Sequence, residues 1–263
     1  MVVQHNLQAA NTNRMLGQNV KAVGKSSEKL ASGYQINRAA DDAAGLSISE
    51  KMRNQIRGIN QSVDNAEDGI SLIQTAEGNL NEMHSILQRM GELANKAAND
   101  VNESEDRTTI SDEIGQLSSE LTSIAGKAKY NGKSLSSFSG YLQVGANSGD
   151  NMHISVAVTV TVGTTDVSTH TNASTTMTNV TTAIKSVSAQ RSKLGAVQNR
   201  LEYTVNNLQN YSENLTAAES RVRDTDMATE MVSYSKNNIL QQAAQSMLAQ
   251  ANQSNQGVLS LLQ

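Results

Sequence analysis

Apolar residues recur along Leu46–Asn99 with the period of a helix seam. One heptad row reads Met52, Ile59, Ala66, Ile73, Leu80, Leu87 and Ala94. A second row, Ile56, Val63 and Ile70, hands over to Ala76, Met83, Met90 and Ala97. A seam that moves by one residue is what 3.6 residues per turn produces against a seven-residue repeat. The pattern predicts one uninterrupted helix, about 80 Å long at ~1.5 Å per residue. A helix of that length needs other long helices to cover it.

The flanking segments supply them. In Val3–Ala31, Ala9, Leu16, Val23 and Leu30 repeat every seven residues, with Leu7 and Val20 alongside. Burying Leu16, Val20, Val23 and Leu30 contributes ~6–12 kcal/mol at ~1.5–3 each. Ordering the segment costs ~1–2 kcal/mol of backbone entropy per residue, a larger gross sum. This narrow helix is therefore expected to order only with partners. Ile110, Ile114, Leu117, Leu121, Ile124 and Ala128 keep a 4-3-4-3-4 spacing and predict a helix folded back, antiparallel, on the long one. Val187, Leu194, Leu201, Leu208, Leu215 and Val222 fill one heptad position over Val180–Val222. A last stripe holds Leu240, Ala244, Met247, Ala251, Val258 and Leu261, with Ile239, Leu248 and Leu262 beside it.

Between these helices the period changes. Met152, Ile154, Val156, Val158, Val160 and Val162 alternate with small or polar residues, the signature of a half-buried strand. Tyr141–Val144 is its expected partner, with Gly145–Asp150 as the turn. Tyr130-Asn131-Gly132-Lys133 is a turn signal. Gly163–Thr178, rich in Thr and Ser, reads as an exposed loop or a short irregular cap. The fold class is mainly α: a long antiparallel bundle with a small β-hairpin. Both ends carry the same under-buried stripe, and pairing them would bury both.

Composition sharpens this picture. The 263 residues contain no Pro, Trp or Cys and one Phe, so small aliphatic side chains must do the packing. Without Pro, long helices run unbroken. Net charge is −4, with no basic face for nucleic acid and no polybasic run for a membrane surface. No apolar run approaches the ~20 residues of a bilayer span. The first residues lack the charged and apolar regions of a cleavable secretory signal.

Candidate chemistry is sparse. Arg38, Asp41 and Asp42 lie in a joint between helices, where charged hydrogen bonds that fix geometry explain them better than catalysis. Asp224, Asp226 and Glu230 lack the further oxygens and central Gly of a calcium loop. His5, His84, His153 and His170 have no paired metal spacing. Asn172-Ala173-Ser174 and Asn179-Val180-Thr181 match an N-glycosylation pattern weakly; Ser168–Thr182, as an exposed loop, is a better candidate for O-glycosylation, with plain solvation the favoured reading. No enzyme, cofactor or metal site is expected.

Glu28-Lys29-Leu30-Ala31-Ser32-Gly33, then Ile36-Asn37-Arg38-Ala39-Ala40-Asp41-Asp42-Ala43-Ala44-Gly45-Leu46, is similar to the amino-terminal signature of the bacterial flagellin family. Leu142-Gln143-Val144-Gly145-Ala146-Asn147 resembles its central hairpin. Arg223-Asp224-Thr225-Asp226-Met227-Ala228, Asn238-Ile239-Leu240 and Met247-Leu248-Ala249-Gln250-Ala251-Asn252-Gln253 resemble its carboxy-terminal signature. Asn255 departs from the Pro of many relatives. The variable outer domains are missing, which implies a minimal form made of core domains.

The resemblance implies a self-assembling subunit of the extracellular filament used for swimming. It implies an inner-core coiled coil from residues 1–35 and 224–263. Residues 36–223 would be the outer core, with the hairpin near 140–163 and a short variable loop near 163–178. Self-assembly would use Leu7, Leu16, Val20, Val23, Leu30, Leu240, Ala244, Met247, Ala251, Val258 and Leu261. Implied partners are further copies of the chain, a flagellar cap, junction proteins and a flagellin export chaperone. Gln88, Arg89, Leu93, Ile110 and Glu113 resemble the surface met by a host's flagellin-sensing Toll-like receptor. Gly91 stands where many relatives have Arg. A hook–filament junction protein is the nearest alternative reading. A coiled-coil signalling module would leave the Tyr141–Val162 hairpin unexplained.

Overall fold

The computed structural model describes residues 6–260, with side chains through Ser254. Its elements are α1 (Leu7–Ser32), α2 (Ala43–Ala97), α3 (Ser104–Lys127), β1 (Lys129–Tyr130), β2 (Lys133–Ser134), β3 (Phe138–Gln143), β4 (Asn151–Val156), α4 (His170–Arg223) and α5 (Met227–Ser260). Two compact units divide the chain. One is Met1–Asn54 with Asn214–Gln263; the other is Gln55–Glu213.

In the second unit the heptad rows do what their spacing dictates. Ile59, Ala66, Ile73, Leu80, Leu87 and Ala94 of α2 are buried, as are Ala76, Met83, Met90 and Ala97. Ile56, Val63 and Ile70 are half-buried at the edge where the seam hands over. Helix α3 opens with a capping box between Glu103 and Asp106, with Glu105 and Asp106 in its first turn. It runs antiparallel to α2, since Arg89 meets Glu113 at 3.0 Å and Arg107 meets Asp100 at 3.0 Å. Helix α4 is also antiparallel to α2, with Arg191 on Glu77 at 3.4 Å and Ser212 on Asn60 at 2.9 Å. Ile114, Leu135, Ile154, Val187 and Leu201 complete one shared core.

The β region departs from the sequence expectation in three ways. The Asn131-Gly132 turn closes a hairpin of its own, β1 on β2. Both residues have positive φ, +46° and +77°, the backbone that a two-residue turn of this twist demands. Strand β4 ends at Val156, although the alternating pattern runs to Val162. Val158 stays buried and donates its N–H to the Leu135 carbonyl at 3.0 Å, outside any ladder. Finally, the expected loop Gly163–Thr178 is partly helix, because α4 starts at His170. Val167, Ala173 and Thr176 are buried. The Thr176 hydroxyl lies 2.7 Å from the Asp166 carbonyl and 3.2 Å from that of Thr164, so the preceding chain is pinned to the helix. Asp166 also accepts from the Ser168 N–H, which with the Ser168 hydroxyl and Asn172 holds its carboxyl below the usual range.

In the first unit α1 and α5 lie antiparallel. The Asn6 side chain reaches the Ala251 carbonyl at 3.0 Å, and Lys29 faces Glu230 at 3.9 Å. Asn6 caps α1 through the Ala9 N–H, and Gly33 ends it with φ +76°, a left-handed backbone suited to glycine.

Candidate functional site

The joint of the first unit is built from the two signature segments. Tyr34 and Asp224 form an isolated antiparallel bridge. Gln35 donates its N–H to the Arg223 carbonyl at 2.7 Å, and Thr225 donates to that of Gly33 at 2.9 Å. The Arg223 guanidinium sits 4.8 Å from the Tyr34 ring centre, and that of Arg53 sits at 5.8 Å. Such cation–ring contacts hold a joint without a large apolar core. Arg223 also pairs with Glu50 at 2.8 Å.

The side chains of Asp41, Asp42, Asp226 and Glu230 each have a partner here, and Asp224 takes part through its backbone. Asp41 pairs with Lys25 at 2.9 Å and accepts from the Arg38 and Asn37 N–H groups. The Lys25 hydrogen bond, then the Arg38 N–H, holds the Asp41 carboxyl below its ordinary range. Arg38 turns away to Glu28 at 2.8 Å. Asp42 accepts from the Ala44 and Gly45 N–H groups and caps the start of α2. Asp226 does the same for α5 through Thr229 and Ala228, which lower its pKa. These acids therefore fix helix starts and the joint. Among the described residues, no three of His, Asp and Glu group so as to hold a metal ion. No described helix is long and apolar enough to cross a membrane.

Pairing α1 with α5 does not bury both stripes, contrary to the sequence expectation. Ala251 is buried, and Leu16, Val23, Leu30 and Ala244 are half-buried. Leu7, Val20, Leu240 and Met247 stay exposed, at 73%, 46%, 42% and 55% of their surface. The side chain of Val258 and the whole of Leu261 lie outside the described residues. Sequence reasoning missed more of this open surface. Met15, Met227, Met231 and Val232 are exposed too, and so is Ile239, which was placed only beside the stripe. Val232 and Ile239 share a heptad position whose next members are Ser246 and Gln253, so no sustained row revealed them. A two-helix contact covers one face of each helix, and α5 is apolar on more than one.

In the second unit, Arg89 stands 53% exposed at its side chain between Glu113 and Glu92. Its Nε and Nη2 donate to Glu113 Oε1 at 3.2 and 3.0 Å, and Nη1 reaches Glu92 at 3.3 Å. Glu113, then Glu92, raises the Arg89 pKa. Gln88 is exposed and bonded to His84 at 3.1 Å. Leu93 and Ile110 are buried, at 4% and 6% exposure. All but Gln88 border one shallow cleft of about 470 Å³ between α2 and α3. Asn172 and Asn179, the glycosylation-pattern residues, lie in α4, not in a loop, and donate their side-chain amides to Asp166 and the Thr164 carbonyl.

Comparison with known proteins agrees with this architecture. Residues 3–142 match the bacterial flagellin N-terminal helical region, and residues 177–262 match the bacterial flagellin C-terminal helical region. A flagellin of Halalkalibacterium halodurans is 50% identical over the full length of both chains. A flagellar filament 33 kDa core protein of Treponema phagedenis is 44% identical, again over both full lengths. The crystal structure of Bacillus cereus flagellin matches at a TM-score of 0.50 and 30% identity, covering 59% of this chain and 94% of that one. The chain belongs to the bacterial flagellin family.

Proposed function

We propose that this flagellin, a structural subunit of the flagellar filament, polymerises through the helix faces that its own α1–α5 pair leaves open. The observation that carries the proposal is the exposure of Leu7, Val20, Ile239, Leu240 and Met247 on helices already paired with each other. Exposed apolar side chains on helices that already have a partner mark an interaction surface, and further copies of the chain are its occupant in this reading. Leu16, Val23, Leu30, Ala244 and Ala251 join the two helices, and Val258 and Leu261 extend the stripe. In this reading residues 1–35 and 224–263 line the inner core, and residues 36–223 form the outer core. The assembled filament is extracellular. The subunit meets a flagellar cap, junction proteins and an export chaperone on the way. A hook–filament junction role draws no support from the relatives described.

A second surface carries a second reading, recognition by a host's flagellin-sensing Toll-like receptor. Gln88, Arg89 and Glu113 offer exposed polar atoms on neighbouring helices. Leu93 and Ile110 sit beneath them and hold the surface in shape. A charged pair beside an apolar floor is the kind of anchor that interfaces use.

Electron microscopy of purified chain added to filament seeds tests the assembly proposal. Long uniform filaments are expected. A chain that stays monomeric on seeds would refute it.

A further inference from the structure

The methionines among the described residues differ sharply in exposure. Met83 and Met90, on the buried seam of α2, expose 0% of their surface. Met15, Met227, Met231 and Met247 expose 47%, 47%, 50% and 55%. All four belong to the first unit, on α1 and α5, and Met52, Met152 and Met177 are half-buried. Cysteine, the usual competitor for oxidants, is absent.

We infer that Met15, Met227, Met231 and Met247 are sites of reversible oxidation that switch the assembly face from apolar to polar. The inference rests on the filament reading above. A peroxide transfers one oxygen atom to the thioether sulfur; the O–O bond breaks, an S–O bond forms, and water leaves. Sulfur is oxidised and the peroxide reduced. The sulfoxide is a polar acceptor; a sulfoxide reductase returns it to the thioether as two thiols become a disulfide, the S–O bond breaks and the oxygen leaves as water. Exposed thioethers react first because the oxidant must reach sulfur, and packing at Met83 and Met90 shields it. A sulfoxide on α5 must also be dehydrated when a second copy covers it, so oxidation opposes polymerisation. Polymerisation in turn removes the same sulfurs from the oxidant.

Brief treatment of the full chain with hydrogen peroxide, followed by peptide mapping and seeded elongation, tests this. The four exposed methionines are expected to gain oxygen about tenfold faster than Met83 and Met90. Oxidised subunits are expected to elongate seeds about tenfold more slowly, with helical content unchanged. The combined variant Met15→Leu, Met227→Leu, Met231→Leu and Met247→Leu conserves volume and should elongate equally with and without peroxide. Equal reactivity of all methionines, or undiminished elongation by the oxidised chain, overturns the inference. Untreated chain that fails to elongate refutes the filament reading, and the reactivity order then decides the oxidation sites separately.

Discussion

The side-chain amide of Asn6, at the start of α1, donates to the main-chain carbonyl of Ala251 in α5, 3.0 Å away and 245 positions along the chain. The same side chain accepts from the Ala9 N–H at 3.0 Å. One residue therefore caps α1 and ties it to α5. Asn6→Ala removes both, at ~1 kcal/mol for the cap and ~1 for the bond. Amide exchange at Ala9 and Ala10 is expected to quicken about tenfold to thirtyfold. Asn6→Asp, which keeps the cap acceptor and lacks the donor, should fall between.

Two glycines of α2 separate helix propensity from packing. A Cβ at Gly91 would lie 3.6 Å from Val180 Cγ1, an ordinary contact. Gly91→Ala should stabilise the second unit by about 0.5–1 kcal/mol in denaturant unfolding. A Cβ at Gly58 would lie 3.0 Å from Ala146 Cβ and 3.3 Å from its Cα, so the β3–β4 turn must shift. Gly58→Ala should forfeit that gain and end about 1 kcal/mol below Gly91→Ala.

The Asp226 carboxylate gives the start of α5 a pH dependence. Its folded pKa is lowered by the Thr229 N–H and hydroxyl and the Ala228 N–H. A depressed folded pKa adds stability above the unfolded value of about 3.9, and that stability is lost as pH falls through the folded pKa. The protection factors of the Ala228 and Thr229 amides, taken relative to the intrinsic exchange rate at each pH, should therefore fall on acidification below about pH 4. Asp226→Asn keeps a capping oxygen that does not titrate, and should flatten this fall.

Arg89→Ala tests the receptor surface. The Arg89–Glu113 pair is exposed, so its removal should leave thermal unfolding nearly unchanged. Binding to the receptor ectodomain should weaken about tenfold. Unaltered binding would remove Arg89 from that surface.

Much of this architecture was legible as period. Rows such as Leu80–Leu87 and Leu194–Leu201 repeat seven apart because burial against a neighbouring helix demands it, and both are buried. The start of α4 was not legible, because Ala173 and Thr176 are small or polar and fill heptad positions without signalling them. Thr176 is buried only because carbonyls of Thr164 and Asp166 satisfy its hydroxyl. Alternation past Val156 misled in the opposite direction, since burial of Val158 imposes the pattern without a partner strand. At the candidate surfaces, the family resemblance marked Arg89 and Glu113, and antiparallel folding of α3 on α2 made them neighbours. Nothing in the spacing separated the exposed Arg89 from the buried Leu93, four residues on.

Seeded elongation of Leu240→Glu against the unmodified chain tests the central claim most directly. Leu240 is 42% exposed on α5, so the substitution should leave the α1–α5 pair folded and its helical content intact. Elongation is expected to fall by about tenfold or more, because a carboxylate cannot enter an apolar contact between copies without losing its hydration. Filaments growing from the variant at the unmodified rate would contradict the account.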